Sequence, residues 1–282
     1  MFKVIKARVR SSLRYKLFVL VVFPALLAMV TTLALTIYWF TNFTRDNLFL
    51  KVESDLANAH HAFEKILQAY GTSLQRLADS YSFRKLFTTT DATALQKELR
   101  NLIQEEGFAF VHITDELGNW LYEADAPQRR SSKPTPLTVR ALRGRPSAAL
   151  EVFSPDDLLR EDPTLPERVS VPIVDAGPGT LAQRQVEDRT IVLRAVYPIR
   201  DTDGKALALL DGGVLLNGND TLIEDLRERV YGTRTLPEGG LGAMAVVLDD
   251  VRVTTNFPLK NADNAAGTRV PKEIRDAVLG EG

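Results

Sequence analysis

Residues 190–217 read TIVLRAVYPIRDTDGKALALLDGGVLLN. Two runs dominated by Val, Ile, Leu and Ala flank Asp201-Thr202-Asp203-Gly204, and this pattern predicts a β-hairpin closed by a tight turn. Asp201 and Asp203 have the spacing of the first ligands of a calcium loop. The third oxygen position and the distal Glu of that motif are missing, so the pair is assigned to the turn.

Upstream, residues 124–189 hold nine of the fourteen prolines: Pro127, Pro134, Pro136, Pro146, Pro155, Pro163, Pro166, Pro172 and Pro178. Long structureless loops are uncommon in compact domains, so the segment is expected to be an elaborated insertion lying over a sheet rather than a linker. Within it PLTVRALRG carries a short helical stripe ending at Gly144, SPDDLLRE begins like a capped helix, and RVSVPIV reads as a strand. Before the insertion, FAFVHITDELGNWLYEAD (residues 108–125) predicts two short strands turning at Asp115–Asn119, with Gly118-Asn119 suited to positive φ. Thr90–Glu106 predicts a helix with Leu95, Leu99, Leu102 and Ile103 on one stripe, a capping box from Thr93 and Gln96, and a stop at Gly107.

Further upstream, apolar residues recur at Leu48, Val52, Leu56, Ala59, Phe63, Ile66, Tyr70, Leu74 and Leu77 in steps of three and four, the period of an amphipathic helix reaching about residue 79. Such a stripe must be covered by the chain's own domain, by a partner copy, or by both, and a homodimer through this helix is expected. His60 and His61 are adjacent, point about 100° apart on a helix, and so cannot chelate one metal together. The stripe continues from Leu17–Phe40, LFVLVVFPALLAMVTTLALTIYWF, 24 residues without a charge. As a helix this is about 36 Å long, enough to cross a hydrocarbon core of about 30 Å. It exceeds a signal-peptide core and ends in Tyr38, Trp39 and Phe40, aromatics suited to a membrane interface; Pro24 is tolerated in a spanning helix. Lys3, Lys6, Arg8, Arg10, Arg14 and Lys16 precede it, with no acidic residue before Asp46, so the positive-inside rule leaves the N-terminus cytoplasmic.

Downstream of the central hairpin, TLIEDLRERVYG predicts a helix opened by a Thr221/Glu224 capping box and closed near Gly232. GAMAVVLDDVRVTTNFPL predicts two strands turning at Asp249-Asp250, and PKEIRDAVLG a last helix from Pro271 to Gly280. Gly239, Gly240 and Gly242 precede a strand rather than opening a helix after one, so they do not form a phosphate loop.

Composition narrows the function classes. With no cysteine, thiol catalysis, Cys-based zinc sites and iron–sulfur clusters are excluded. Removing the six basic residues of the head from the chain's 35 Lys and Arg leaves 29 against 36 Asp and Glu, and this acidic balance argues against nucleic-acid binding. His112 sits within a strand, with no serine elbow or paired metal ligand near it in sequence, so no catalytic residue, metal or cofactor is expected. Helices alternating with strand pairs predict an α+β fold, an antiparallel sheet with a long helix on one face.

The basic head with its span, the long juxtamembrane helix, VHITDELGNWLY, AVYPIRDTDGKALALLDGGVLLN, and GAMAVVLDDVRVTTN followed by AAGTRVPKEIRDAVLGEG together resemble the double Cache (PAS-like) extracytoplasmic sensor region of bacterial transmembrane receptors, sensor histidine kinases above all. The resemblance implies a cytoplasmic head at 1–16 and a transmembrane helix at 17–40. It implies a membrane-distal Cache-like module at 41–219 and the start of a second, truncated module at 220–282, with the bulk in the periplasm of an inner-membrane protein. It also implies that the chain is a fragment of a receptor whose output domain, of kinase, chemoreceptor or diguanylate cyclase type, lies elsewhere. Small ligands of the resembled family sit between the sheet and its overlying loops, a region that here includes Trp120, Tyr122, Arg194, Tyr197 and Asp211. The aromatics would form apolar walls, Arg194 a carboxylate clamp and Asp211 an ammonium partner, core packing for the aromatics and surface exposure for the charges being the alternative. By the two-residue strand period Trp120 and Tyr122 share a face, whereas Arg194 and Tyr197 face oppositely. A membrane-tethered protein-interaction module working through the proline-rich insertion is the second class of function.

Overall fold

The structure is a computed structural model describing residues 13–124, 135–145, 147–174, 184–232, 242–258, 265–271 and 275–276. It divides into two units, Met1–Ala57 and Asn58–Gly282. In the first unit, helix α1 (Leu13–Asp79) begins and contains Leu20–Trp39, the one segment among the described residues long and apolar enough to cross a membrane. Its polar side chains are satisfied internally: the hydroxyls of Thr31, Thr32 and Thr36 donate to carbonyls one turn back, at Leu27, Ala28 and Thr32. Helical backbone with satisfied hydroxyls is what an apolar surrounding requires.

The second unit carries the rest of α1, then α2 (Tyr81–Thr88), α3 (Ala92–Glu106), β1 (Phe110–Thr114), β2 (Trp120–Glu123), α4 (Pro136–Leu142), β3 (Ser147–Phe153), α5 (Pro155–Glu161), α6 (Leu165–Val169), β4 (Val171–Pro172), β5 (Val186–Glu187), β6 (Thr190–Arg200), β7 (Ala206–Leu215), α7 (Asp220–Tyr231), β8 (Ala245–Leu248) and β9 (Val251–Thr255). The main sheet has the order β2-β1-β7-β6-β3, antiparallel throughout. β6 and β7 form the central hairpin; Asp201 closes its turn by accepting from the backbone N–H groups of Asp203 and Lys205. The fold is α+β, as the sequence predicts.

One sheet face packs on helices. Ile113, Leu193, Ala195, Ile199 and Leu210 meet Ala62, Ile66, Leu74 and Ala78 of α1, Leu95 and Leu99 of α3, and Leu222 and Leu226 of α7 in one core. The α1 stripe from Ala59 to Leu77 is therefore covered by the chain's own sheet, which removes that part of the periodicity as a reason for dimerisation. Leu56 stays exposed. The opposite face carries two smaller cores: Phe110, Phe153, Val192 and Leu215 beneath Leu158 of α5 and Leu165 and Val169 of α6, and Val196 and Leu209 beneath Leu137 and Ala141 of α4.

Several local expectations change. Asp91, not Thr93, caps α3, accepting from the Ala94 N–H, and Asn219, not Thr221, caps α7, accepting from the Leu222 N–H. Gly107 ends α3 in the left-handed conformation as expected (φ 75°). Ser147–Phe153, within the proline-rich segment, is a full edge strand of the main sheet, registered against β6 from Ser147↔Val196 to Phe153↔Thr190. RVSVPIV is mostly not strand: α6 takes residues through Val169 and β4 only two. The capping box of α5 is present, with Ser154 and Asp157 bonded reciprocally. β8 and β9 pair in a separate two-stranded sheet, tied to the end of β7 by Thr254, whose hydroxyl donates to Leu216 O at 2.6 Å and accepts from Gly218 N–H. The expected last helix, apart from Pro271, Arg275 and Asp276, and the Gly239-Gly240 run lie outside the described residues.

Gly213 is paired with both Phe110 and Arg194, and a Cβ added there would lie 2.2 Å from the Phe110 ring and 2.8 Å from Val192. Gly213→Ala should therefore destabilise the protein by about 1–3 kcal/mol through overpacking. Gly204→Ala, at a turn position with open space but φ of 82°, should cost about 1–2 kcal/mol through the left-handed backbone alone. Chemical denaturation of the two variants checks both values.

Candidate functional site

On the face covered by α4, α5 and α6, each strand of the main sheet contributes one side chain to a row: Glu151 on β3, Arg194 on β6, Asp211 on β7, His112 on β1 and Trp120 on β2. The register builds it. His112 lies directly opposite Asp211, while Arg194, opposite Ala149 and Gly213, reaches diagonally to a carboxylate on each neighbouring strand. Arg194 Nε donates to Asp211 Oδ1 at 2.9 Å and its terminal nitrogen to Oδ2 at 2.5 Å, a bidentate pair. The other terminal nitrogen donates to Glu151 Oε2 at 2.9 Å and to Thr135 Oγ1 at 3.3 Å. Arg194 and Asp211 are 2% and 0% exposed.

His112 is 1% exposed, with Nδ1 3.3 Å from Glu161 Oε2 of α5 and Nε2 3.8 Å from Asp211 Oδ2. The imidazole stacks on Trp120, ring centroids 4.1 Å apart and planes within 14°. Phe110 also stacks with the imidazole, at 5.9 Å and 16°, and Phe153 with Phe110 at 5.9 Å and 22°, so each ring is close to parallel with the next. The Arg194 guanidinium carbon lies 5.9 Å from the Phe153 ring centroid.

The electrostatics follow from burial. Desolvation works against the charged Arg194, yet Asp211 and Glu151 outweigh it and raise its pKa further. Burial pushes the Asp211 carboxyl up, but Arg194 holds it below the usual carboxylate range. Burial strips the His112 imidazolium of hydration, and despite the pull of Asp211 its pKa falls to about 4, with Arg194 adding to the drop. At neutral pH the row is thus a charged Arg–Asp pair beside a neutral imidazole.

Over the Glu151–Arg194 end of the row lies a pocket of about 490 Å³ bounded by Thr135, Phe153 and the charged side chains of Glu151, Asp157, Arg160, Glu161 and Arg194. Of the residues singled out from sequence, Trp120, Arg194 and Asp211 come together on this face. Tyr122 and Tyr197 do not. Ile113 pairs with Tyr122 but Thr114 with Trp120, so Leu121 is an extra residue that turns Tyr122 onto the helix face, where it meets Phe87 edge-on. Tyr197, on the same helix face, donates to Asp79 of α1 at 3.4 Å. The carboxylate clamp expected of Arg194 is already occupied by Asp211, and the ammonium partner expected of Asp211 is Arg194 itself. Nothing in the spacing of Glu151, Glu161 or His112 marks them as ligand residues. The one sequence signal for His112 is its place, as a polar residue in an apolar strand. No group of three or more His, Cys, Asp or Glu among the described residues is arranged to hold a metal ion.

Truncating Asp211 to Leu should cost about 3–5 kcal/mol because it strands a buried guanidinium, and the double variant with Arg194→Met should be less destabilised than the sum of the singles. A double-mutant cycle by denaturation measures this. His112 has its folded pKa below its unfolded value of 6.5, so protons bind the unfolded chain preferentially between pH 6.5 and about 4, and stability falls as pH drops through that window. The loss is on the order of 3 kcal/mol at 1.4 kcal/mol per pKa unit, and His112→Phe should flatten that part of the pH profile.

The sequence matches no family model and no curated protein. Among solved structures, the chain is similar to the periplasmic domain of Vibrio cholerae LuxQ, at 14% identity over 77% of this chain and 83% of that one, with a TM-score of 0.45. It is also similar to the sensor domain of the V. cholerae histidine kinase DctB (11% identity, 76% and 68% covered, TM-score 0.43). A third similar structure is the ligand-binding domain of the Pseudomonas aeruginosa amino acid chemoreceptor PctC in complex with GABA (18% identity, 62% and 63% covered, TM-score 0.29).

Proposed function

We propose that the chain is the signal-sensing part of a membrane-anchored bacterial receptor, binding a small molecule in the pocket above the Glu151–Arg194–Asp211–His112 row. The observation that carries this reading is the pocket itself: about 490 Å³ is within the range of small-molecule sites, and the hydrogen-bonded Arg194 and Glu151 beside the Phe153 ring offer both polar anchoring and apolar contact. The basic head and the span of α1 support an inner-membrane location with the N-terminus cytoplasmic and the second unit periplasmic. In this reading ligand occupancy shifts a two-state equilibrium that α1, covered by the sheet on its sensor side, passes to the membrane. The output is that of a two-component histidine kinase, with a chemoreceptor or diguanylate cyclase as the alternative.

We assign binding rather than catalysis to these residues. His112 supports this: it is enclosed by Trp120, Phe110 and two carboxylates and is not presented to a substrate. The resemblance of the two central hairpins to the double Cache sensor region supports the receptor class. For the second reading, an interaction module working through the proline-rich insertion, residues 147–153 are an edge strand of the main sheet, so deleting the insertion opens the sheet as well as removing a surface.

Two measurements test the proposal. Alkaline phosphatase fused after residue 258 should be active, and green fluorescent protein fused there dark; the reverse pattern overturns the orientation. The full chain in detergent, melted against panels of amino acids, carboxylates and amines, should show ligands that raise Tm. A ligand at about 100 times its Kd adds about 2.7 kcal/mol. Phe153→Trp, which fills the pocket, should abolish the shift, and a flat response across the panel overturns small-molecule sensing at this site.

A further inference from the structure

The two guanidinium groups at the pocket are already engaged. Arg194 gives Nε and one terminal nitrogen to Asp211 and the other to Glu151 and Thr135. Arg160 gives one terminal nitrogen to Asp157 at 2.6 Å and its Nε to the Asp156 carbonyl. At Arg194 an incoming carboxylate would have to displace a carboxylate of the protein, and at Arg160 it would share the cation with Asp157. The acceptors are placed differently. Among the described residues three carboxylates, Glu151, Asp157 and Glu161, border the cavity against those two cations, and a fourth, Asp211, lies beneath them fully buried. His112, with its pKa near 4, adds no positive charge at neutral pH.

A carboxylate has about four acceptor sites, so Glu151 and Asp157 retain acceptor capacity even while each accepts from arginine. An ammonium brings three donors and no acceptor, the complement of such a wall. Phe153, at the same cavity, supplies a ring for an apolar stem. The field of the pocket thus favours a positive ligand and opposes a negative one.

We infer that the pocket selects a cationic amine: a ligand whose ammonium group meets the Glu151, Asp157 and Glu161 carboxylates and whose apolar part lies against Phe153. This rests on the pocket being the sensor's ligand site, as proposed above, and specifies the chemistry that the site accepts.

The test uses the full chain in detergent and three probes of equal size and different charge, n-butylamine, butyrate and 1-butanol, titrated at low ionic strength and read by thermal melting and calorimetry. Butylamine should bind at least about tenfold more tightly than butyrate, a difference of about 1.4 kcal/mol, and more tightly than butanol. Glu161→Gln should weaken butylamine several-fold. Arg160→Gln, which removes a cation from the rim, should strengthen it, and a gain of affinity cannot come from a misfolded variant. Butyrate binding better than butylamine, or butanol equalling it, overturns the cationic assignment while leaving a ligand pocket in place. Arg160→Gln weakening the amine overturns it as well. Failure of all three probes, together with a flat response to the wider panel, overturns the pocket reading and this inference with it.

Discussion

The bidentate pair between Arg194 and Asp211 is the constraint around which the second unit is arranged. Two ions with almost no solvent exposure each lose several kcal/mol of hydration, and only near-complete hydrogen bonding offsets that loss. Such bonding needs acceptors on both sides of the arginine, so β6 must lie inside the sheet with β7 on one flank and β3 on the other. It also needs a lid. α4 brings Thr135 at its N-cap and α5 brings Glu161 at its last turn, and the apolar residues of α4, α5 and α6 pack the ground between them. The proline-rich segment is thus the half of the structure that encloses the charges, not an appendage.

The sheet consequently has two unlike faces. Against α1, α3 and α7 it is apolar, and the packing there is continuous from Ala62 to Val230. On the other face the apolar residues are split into two small cores separated by the ionic row. A core divided in this way gives up hydrophobic area at its centre.

Much of this architecture is legible in the sequence, and the reasons for the exceptions are physical. The hairpins at 110–123 and 190–215 and the helices α1 and α3 are strongly periodic or have clear turn residues, and they form where expected. β3 was hidden because SAALEVF is Ala-rich and lies between Pro146 and Pro155, so its strand character comes from pairing with β6 rather than from its own propensity. The caps of α3 and α7 fell two residues from the expected ones because Asp91 and Asn219 are as capable of capping as the nearby threonines, and only backbone geometry chooses between them. Arg194 and Asp211 stand out in sequence as charges in apolar strands. Glu161 does not, since nothing local says which way α5 docks. The two-residue period puts Tyr122 on the wrong face because Leu121 is a single extra residue, and a β-bulge of that kind has no marker in the strand itself.

The stacking of Trp120 on His112 gives the protein an optical property. The chain has two tryptophans, Trp39 in the apolar segment of α1 and Trp120 beside the ionic row, one in each unit. An indole in face contact with an imidazole has an emission that depends on the ring's protonation and on the polarity above it. The second unit therefore contains an intrinsic fluorophore at the edge of its charged row, and the apolar segment of α1 contains a second one, 65% exposed where Trp120 is buried. With Trp39 replaced by phenylalanine, light emitted by the remaining indole would follow events in the row alone, without any label attached.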